Sequence, residues 1–159
     1  MNLEKPNYIS NLEEVYGSSS QEAYGTAVFF KILKEFDIDA ASLEVYQYFT
    51  GDLWEEWGEE AWMGSWKQVY DREKGREGDI LNELRDIDDP DAKISIPMFL
   101  EGISEPQKAN QALQGAFDDP EVSQLVVYNI GDGGAMSGIL IGSYREKTSQ
   151  ATFLVWLFD

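Results

Sequence analysis

The stretch LVVYNIGDGGAMSGILIGSYREKTSQATFLVWLF, residues 125–158, contains three apolar runs separated by two short breaks. The runs cover residues 125–130, 135–145 and 151–158, and short breaks between runs of similar length indicate antiparallel strands joined by tight turns. Apolar side chains occupy both alternating sets of positions, which is typical of strands covered on both faces. This stretch predicts a C-terminal three- to four-stranded antiparallel β-meander.

The segment SSSQEAYGTAVFFKILKEF, residues 18–36, has the spacing of a helix. Serines at its start suit an N-cap. Small and aromatic side chains recur at helical intervals, at Ala23, Ala27, Phe30 and Phe36. Further apolar residues widen this face, so the sequence predicts a helix that is buried on more than one side.

Two more helices are predicted in the following segments. In ASLEVYQYFTGD, residues 41–52, Ser42 suits the N-cap of a helix, although the same residues would also suit a short strand. In LWEEWGEEAWMGSWKQVYDREKG, residues 53–75, Trp54 and Trp57 lie opposite most of the acids when residues are spaced about 100° apart. This second segment predicts one continuous amphipathic helix.

The part of the chain just before the meander mixes breaks and short regular elements. Asp79 suits the cap of a short helix, and Ser104 suits that of a helix over residues 104–117. Pro90 and the acids around it predict a loop. The sequence KISIP, residues 93–97, predicts a strand ended by its proline.

Together these segments predict a single α+β domain over residues 1–159. A helix-rich N-terminal two thirds packs on the C-terminal three- to four-stranded antiparallel β-meander. Helices can cover one face of the sheet. The other face needs either further helices or a second copy of the protein.

The chain contains neither cysteine nor histidine. This composition excludes disulfides, thiolate nucleophiles, zinc sites built on these residues and a Ser–His–Asp triad. Any chemistry must come from carboxylates, tyrosine, lysine, serine or an ion bound by oxygen. With no catalytic motif present, the sequence favours a non-catalytic protein over an enzyme, and it predicts no cofactor.

Thirty acidic residues against twelve basic ones give the chain a formal charge of −18. Such a field opposes direct binding to nucleic acid and repels anionic membranes. No apolar run approaches the roughly 20 residues that span a bilayer, and the start MNLEKPNYIS lacks the pattern of a signal peptide. We therefore expect a cytoplasmic protein whose partner is another protein or a second copy, as in a homo-oligomer.

The glycine-rich break between the first two runs is the first candidate site. Its spacing fits neither a dinucleotide nor a phosphate-loop fingerprint, because a strand and not a helix follows. Gly131, Asp132 and Gly133 suit a turn with positive φ, and an anion- or ligand-binding loop is the alternative. Gly138 and Gly142 leave bare backbone on one face of the second strand, where a helix, a ring or a ligand could approach.

Aromatic residues supply further contact candidates. Trp62 and Trp66 are rotated toward the acidic side of the predicted helix, so they could serve either as core residues or as anchors for a partner. Tyr144, near an end of the sheet, could line a small pocket. The aspartates Asp86, Asp88 and Asp91 are candidate ligands for a hard cation, although the stretch lacks the glycine and glutamate of an EF-hand loop.

Three functions remain open at this point. The first is a non-catalytic interaction or regulatory module that self-associates or binds a protein partner. The second is a small-ligand-binding domain, or an enzyme based on carboxylates and tyrosine, with a pocket between sheet and helices. The third is a DNA mimic that binds a basic protein through rows of carboxylates.

Overall fold

A computed structural model of the protein describes residues 5–21, 24–35, 37–134 and 136–158. Within these ranges, helices dominate the first two thirds of the chain and strands the last third. In chain order the elements are α1 (Asn7–Tyr16), β1 (Gly25–Ile32), α2 (Ile38–Thr50), α3 (Leu53–Trp57), α4 (Glu59–Met63), β2 (Lys67–Asp71), α5 (Ile80–Arg85), α6 (Pro90–Glu101), α7 (Pro106–Phe117), β3 (Gln124–Ile130), β4 (Ser137–Arg145) and β5 (Gln150–Phe158).

The five strands form one antiparallel sheet in the order β1-β5-β4-β3-β2. Strands β3, β4 and β5 are the predicted C-terminal meander, and the α+β class is confirmed. The sheet is wider than the predicted three to four strands, because β1 and β2 from the N-terminal part add one strand at each edge. Among the described residues, no helix is both long and apolar enough to cross a membrane.

Helices cover both faces of the sheet. One face, with Leu125 and Val127 among its residues, packs against α1, α5, α6 and α7. The other, with Val126 and Tyr128, packs against α2, α3 and α4. Alternate side chains along each central strand therefore enter two separate cores. The sequence left open whether further helices or a second copy of the protein covers the second face. Helices of the same chain cover it.

The helix predicted over residues 18–36 is wrong for the part that the structure describes, where β1 runs from Gly25 to Ile32. Val28 enters one core and Phe29 the other, so successive apolar residues serve both faces of the sheet. A strand buried on both faces shows continuous apolar sequence, which helical spacing also fits. Two residues used for that prediction, Ala23 and Phe36, lie outside the described residues.

The continuous helix predicted over residues 53–75 is also wrong. Gly58 has a φ of 89°, a conformation that separates α3 from α4. Beyond Trp66 the chain becomes β2, whose Lys67 pairs with Asn129 of β3. Pairing with an existing sheet edge outweighs the helical pattern of this segment.

The helix predicted after residue 41 is confirmed as α2, but its cap is Asp37 and not Ser42. The Asp37 carboxylate accepts hydrogen bonds from the N–H groups of Asp39 and Ala40 at 3.0 and 3.3 Å. Ser42 is instead buried inside the helix. The cap thus lies five residues earlier than the sequence indicated.

The loop predicted around Pro90 is confirmed only over residues 86–89, because α6 begins at Pro90 itself. The strand predicted over residues 93–97 is wrong, because α6 covers it. The Asp89 carboxylate caps this helix through the N–H groups of Asp91 and Ala92, at 3.1 and 3.0 Å. Pro90 then occupies the first turn of α6. The first N–H groups of a helix have no partner within the helix, so the missing N–H of proline costs no hydrogen bond there. The predicted helices that became α5 and α7 are confirmed, although α7 begins at Pro106, after Glu105 and not after Ser104.

Candidate functional site

Three tryptophan rings stack where α3 and α4 meet the sheet. Trp62 lies between Trp54 and Trp57, with ring centroids 6.4 and 5.1 Å apart and planes inclined by 7° and 9°. The break at Gly58 brings Trp57 back over Trp62, since a continuous helix would separate two residues five positions apart. Trp62 is buried, whereas Trp57 is 49% exposed at the outer end of the stack.

A second stack stands at right angles to the first. Trp66 lies between Tyr46 of α2 and Tyr128 of β3, with both centroid distances at 4.6 Å. Tyr46 meets Trp62 edge to face, at 6.2 Å and 84°. The Tyr46 hydroxyl donates to the Trp62 carbonyl at 2.8 Å, and the Trp62 indole N–H donates to the Leu53 carbonyl at 2.9 Å. The Tyr46 hydroxyl and the Trp62 indole nitrogen are therefore already used within the cluster.

A cavity of about 230 Å³ opens beside this cluster. The elements around it are α2, α3, α4, the segment before β2 and the β3–β4 turn. Its lining comprises Tyr46, Trp57, Ala61, Trp62, Ser65, Gly131, Asp132 and Met136. Because Trp57 is half exposed, its ring stands at the mouth of the cavity. We call this space the tryptophan cavity.

The β3–β4 turn forms the wall opposite the rings. Gly131 and Gly133 have φ values of 75° and 92°, which confirms the predicted positive-φ turn. The Asp132 carboxylate accepts the Gly134 N–H at 3.0 Å, and the Ser137 hydroxyl accepts the Gly133 N–H at 3.0 Å. These bonds hold the exposed Asp132 in a defined position at the cavity.

The outer surface of α3 and α4 is strongly acidic. None of its five exposed carboxylates forms an ion pair with a described residue. They belong to Asp52, Glu55, Glu56, Glu59 and Glu60. We refer to them as the α3–α4 carboxylates. Trp57 lies within this run, so an apolar ring and unpaired negative charges share one surface.

The structure brings together two of the predicted contact residues, Trp62 and Asp132, at the tryptophan cavity. Trp66 lies in the second ring stack behind it. Trp57 and Tyr46 complete the cavity, and sequence reasoning missed both as site residues. The signal for Trp57 was Gly58, which could have indicated a break in the helix and an outward turn of the ring.

The remaining contact candidates lie away from this cavity. A Cβ on Gly142 would stand 3.0 Å from the Ser42 hydroxyl, so the lack of a side chain at Gly142 lets α2 pack closely on β4. A Cβ on Gly138 would collide with the Trp156 carbonyl of the neighbouring strand. Tyr144 donates to the Leu33 carbonyl at 2.7 Å. It also lines an open groove of about 750 Å³ at the other end of the sheet, where two lysines and three carboxylates mix both signs of charge.

The three candidate metal ligands do not come together. Asp88 pairs with Lys93 at 2.8 Å and Asp91 with Lys67 at 3.4 Å, while Asp86 follows the end of α5. The hydrogen bond and charge of Lys93 hold the pKa of Asp88 below its ordinary value. In the described parts of the chain, no group of three or more side chains of a metal-binding type could hold an ion.

Comparison with known proteins found no relative of this chain. No protein-family model matches the chain, no curated protein matches it in sequence, and no solved structure matches its fold.

Proposed function

We propose that this protein is a non-catalytic interaction module that binds a basic segment of a partner protein at the surface of α3 and α4. The observation that carries the proposal is Trp57. Its ring is 49% exposed at the mouth of a cavity, and Trp57 lies in a run of carboxylates that form no ion pair with a described residue. Tryptophan is enriched among the residues that dominate binding energy at interfaces, where its large apolar surface is removed from water.

The charge of this surface defines the partner. The α3–α4 carboxylates stand on a chain whose formal charge is −18. Such a surface attracts lysine- and arginine-rich segments over a distance and orients them before contact. Exposed ion pairs add little affinity singly, so the ring and the cavity must supply a large part of the binding energy.

Self-association receives less support than it did from the sequence. Both faces of the sheet are covered by helices of the same chain, so a second copy is not needed as cover. Two copies would also bring like charges together. A DNA mimic would share the carboxylates, but an exposed indole beside a cavity has no counterpart on a phosphate backbone.

A defined binding experiment tests the proposal. The probe is a short peptide of lysine, arginine, glycine and serine, compared by calorimetry with a glutamate peptide of equal length. We expect binding of the basic peptide only. Binding should weaken with added salt and in Trp57→Ala.

The double variant Glu56→Gln/Glu60→Gln should also lower the affinity for the basic peptide. Glu77→Gln/Glu101→Gln removes the same charge from exposed positions elsewhere and is the matched control. We expect the control to bind nearly as the wild type does. Equal losses in both variants would mean that net charge alone acts, and this would contradict a site at α3 and α4.

A further inference from the structure

The tryptophan cavity is small and has a mixed lining of apolar groups and oxygen atoms. Its volume of about 230 Å³ lies below the roughly 300–1,000 Å³ of pockets that hold whole small molecules, so it suits one side chain of a partner. Ala61 and Met136 line it together with three aromatic residues, Tyr46, Trp57 and Trp62. A lining of this kind can cover the methylene carbons of a long side chain whose end is polar.

The charge at the cavity favours a basic side chain. Among the described residues that line it, Asp132 is the only one with a charged side chain. Its carboxylate forms no ion pair with any other described residue. Between Lys34 and Lys67 the sequence contains no lysine or arginine, and this span includes α2, α3 and α4. The helices beside the cavity therefore provide no basic side chain that could compete with one from a partner.

Oxygen atoms of the residues that line the cavity can still accept hydrogen bonds. The exposed Asp132 carboxylate accepts the Gly134 N–H at 3.0 Å through Oδ1, and its Oδ2 has no partner among the described residues. The Ser65 hydroxyl makes no hydrogen bond within the described part of the chain. The Gly131 carbonyl accepts from the Asn129 side chain at 2.7 Å and keeps a second lone pair. A carboxylate, a hydroxyl and a carbonyl can thus each accept one more N–H.

This set of acceptors suits an ammonium better than a guanidinium. An ammonium directs its three N–H groups to separate acceptors, and here the acceptors come from the β3–β4 turn and from the segment before β2. A guanidinium is bound most strongly by both oxygens of one carboxylate. In Asp132, one of the two oxygens already holds the turn together. The cavity therefore favours lysine over arginine.

We infer that the tryptophan cavity receives the side chain of one lysine in the partner segment. The inference rests on the proposed function, since the α3–α4 carboxylates would hold the rest of that segment. Asp132 accepts a hydrogen bond from the ammonium and balances its charge, and the Ser65 hydroxyl accepts a second hydrogen bond. Ala61 and Met136 contact the methylene carbons.

The test uses a short peptide of arginine, glycine and serine whose central residue is lysine, arginine or norleucine. Norleucine has the carbon chain of lysine without the ammonium, so it separates charge from apolar contact. Calorimetry measures the binding of each peptide to the whole protein. We expect the lysine peptide to bind about two- to ten-fold more tightly than the other two, a range between that of an exposed ion pair and that of a buried hydrogen bond to a charged group.

Variants of the protein locate the lysine. In Asp132→Asn the side chain keeps an oxygen for the Gly134 N–H and loses its charge. This variant should bind the lysine peptide about two- to ten-fold more weakly and the norleucine peptide nearly as the wild type does. Ser65→Ala should act in the same direction with a smaller effect. Asp86→Asn is the matched control, because Asp86 is exposed, lies outside the cavity and forms no ion pair with a described residue.

Each outcome bears on one of the two proposals. Equal affinity for the lysine peptide and either of the other two overturns the inference and leaves the proposed function in place. Equal losses of lysine-peptide affinity in Asp132→Asn and Asp86→Asn also overturn the inference, since net charge alone would then act. Failure of all three peptides to bind overturns the proposed function, and the inference with it.

Discussion

Arg72 and Glu83 form a two-point ion pair inside the protein. The Arg72 Nε and Nη2 groups donate to the two oxygens of the Glu83 carboxylate at 2.8 and 2.7 Å. The two side chains are 6% and 0% exposed. The Arg72 Nη1 group also donates to the Phe117 carbonyl at 2.7 Å. One guanidinium thus joins the end of β2 to α5 and to the end of α7.

The Glu83 carboxylate has further partners. It accepts hydrogen bonds from the Tyr70 hydroxyl and, at 2.8 Å, from the Asp79 N–H. Arg76 in turn donates to the Tyr70 hydroxyl at 3.2 Å. A buried charge of this kind is tolerated only when its partners are present, so removal of either partner leaves an uncompensated charge.

We therefore expect Arg72→Met to lower the free energy of unfolding by about 3–5 kcal/mol, the range for breaking a buried pair on one side. Urea unfolding followed by circular dichroism measures this change. Lys93→Met is the control, because Lys93 pairs with Asp88 on the exposed surface. The control should unfold at nearly the same urea concentration as the wild type. Equal losses in both variants would contradict a special role for the buried pair.

The same carboxylate predicts a loss of stability in acid. Burial alone would raise the pKa of Glu83, but hydrogen bonds from Arg72, Tyr70 and the Asp79 N–H outweigh it and hold the pKa below 4.5. A lowered folded pKa gives stability above 4.5 that is lost as the pH falls through the folded value. Burial raises the pKa of Asp118, which acts in the opposite direction.

Unfolding in urea at a series of pH values tests this expectation. Acid also neutralises the charge of −18, so the informative quantity is the difference between the wild type and Glu83→Gln. Glutamine does not titrate, so the advantage of the wild type should shrink as the pH falls below about 4.5. A difference that stays constant across this range would rule out Glu83 as the titrating group.

The sequence predicted the meander because three apolar runs of similar length follow one another, separated by short glycine-rich or polar breaks. It failed at β1, where Val28 and Phe29 serve opposite cores and the apolar pattern has no single face. It failed at β2 because this short edge strand is fixed by pairing with β3, about sixty residues later in the chain. Both failures come from tertiary contacts that local spacing does not contain.

The site was only partly predictable for a similar reason. Asp132 followed from turn chemistry, and Trp62 followed from the composition of its segment. The exposure of Trp57 depends on the break between α3 and α4 at Gly58, whereas a straight helix projected that ring inward. The meeting of Asp132 with the rings joins two parts of the chain about seventy residues apart, and no local pattern encodes it.

Tyrosines with a raised pKa predict a second loss of stability in alkali. Burial raises the pKa of Tyr70 to about 12, with a contribution from the Glu83 carboxylate, and burial also raises the pKa of Tyr16. A raised folded pKa gives stability that is complete below the ordinary value of 10.0 and is lost as the pH rises through the folded value. Tyr16→Phe retains the stacking ring beside Phe99. Its unfolding free energy should fall less steeply above pH 10 than that of the wild type, and parallel curves would contradict this.

Two glycines should respond in opposite ways to alanine. Gly115 lies in α7, and a Cβ there would meet nothing within 4 Å, so Gly115→Ala should stabilise the protein by about 0.5–1 kcal/mol through helix propensity. Gly133 has a φ of +92°, and a Cβ there would stand 2.6 Å from Cδ1 of Ile94. Gly133→Ala should therefore destabilise the protein by about 1–3 kcal/mol. Urea unfolding compares the two, and destabilisation by Gly115→Ala would show that α7 packs more tightly around this position than the structure describes.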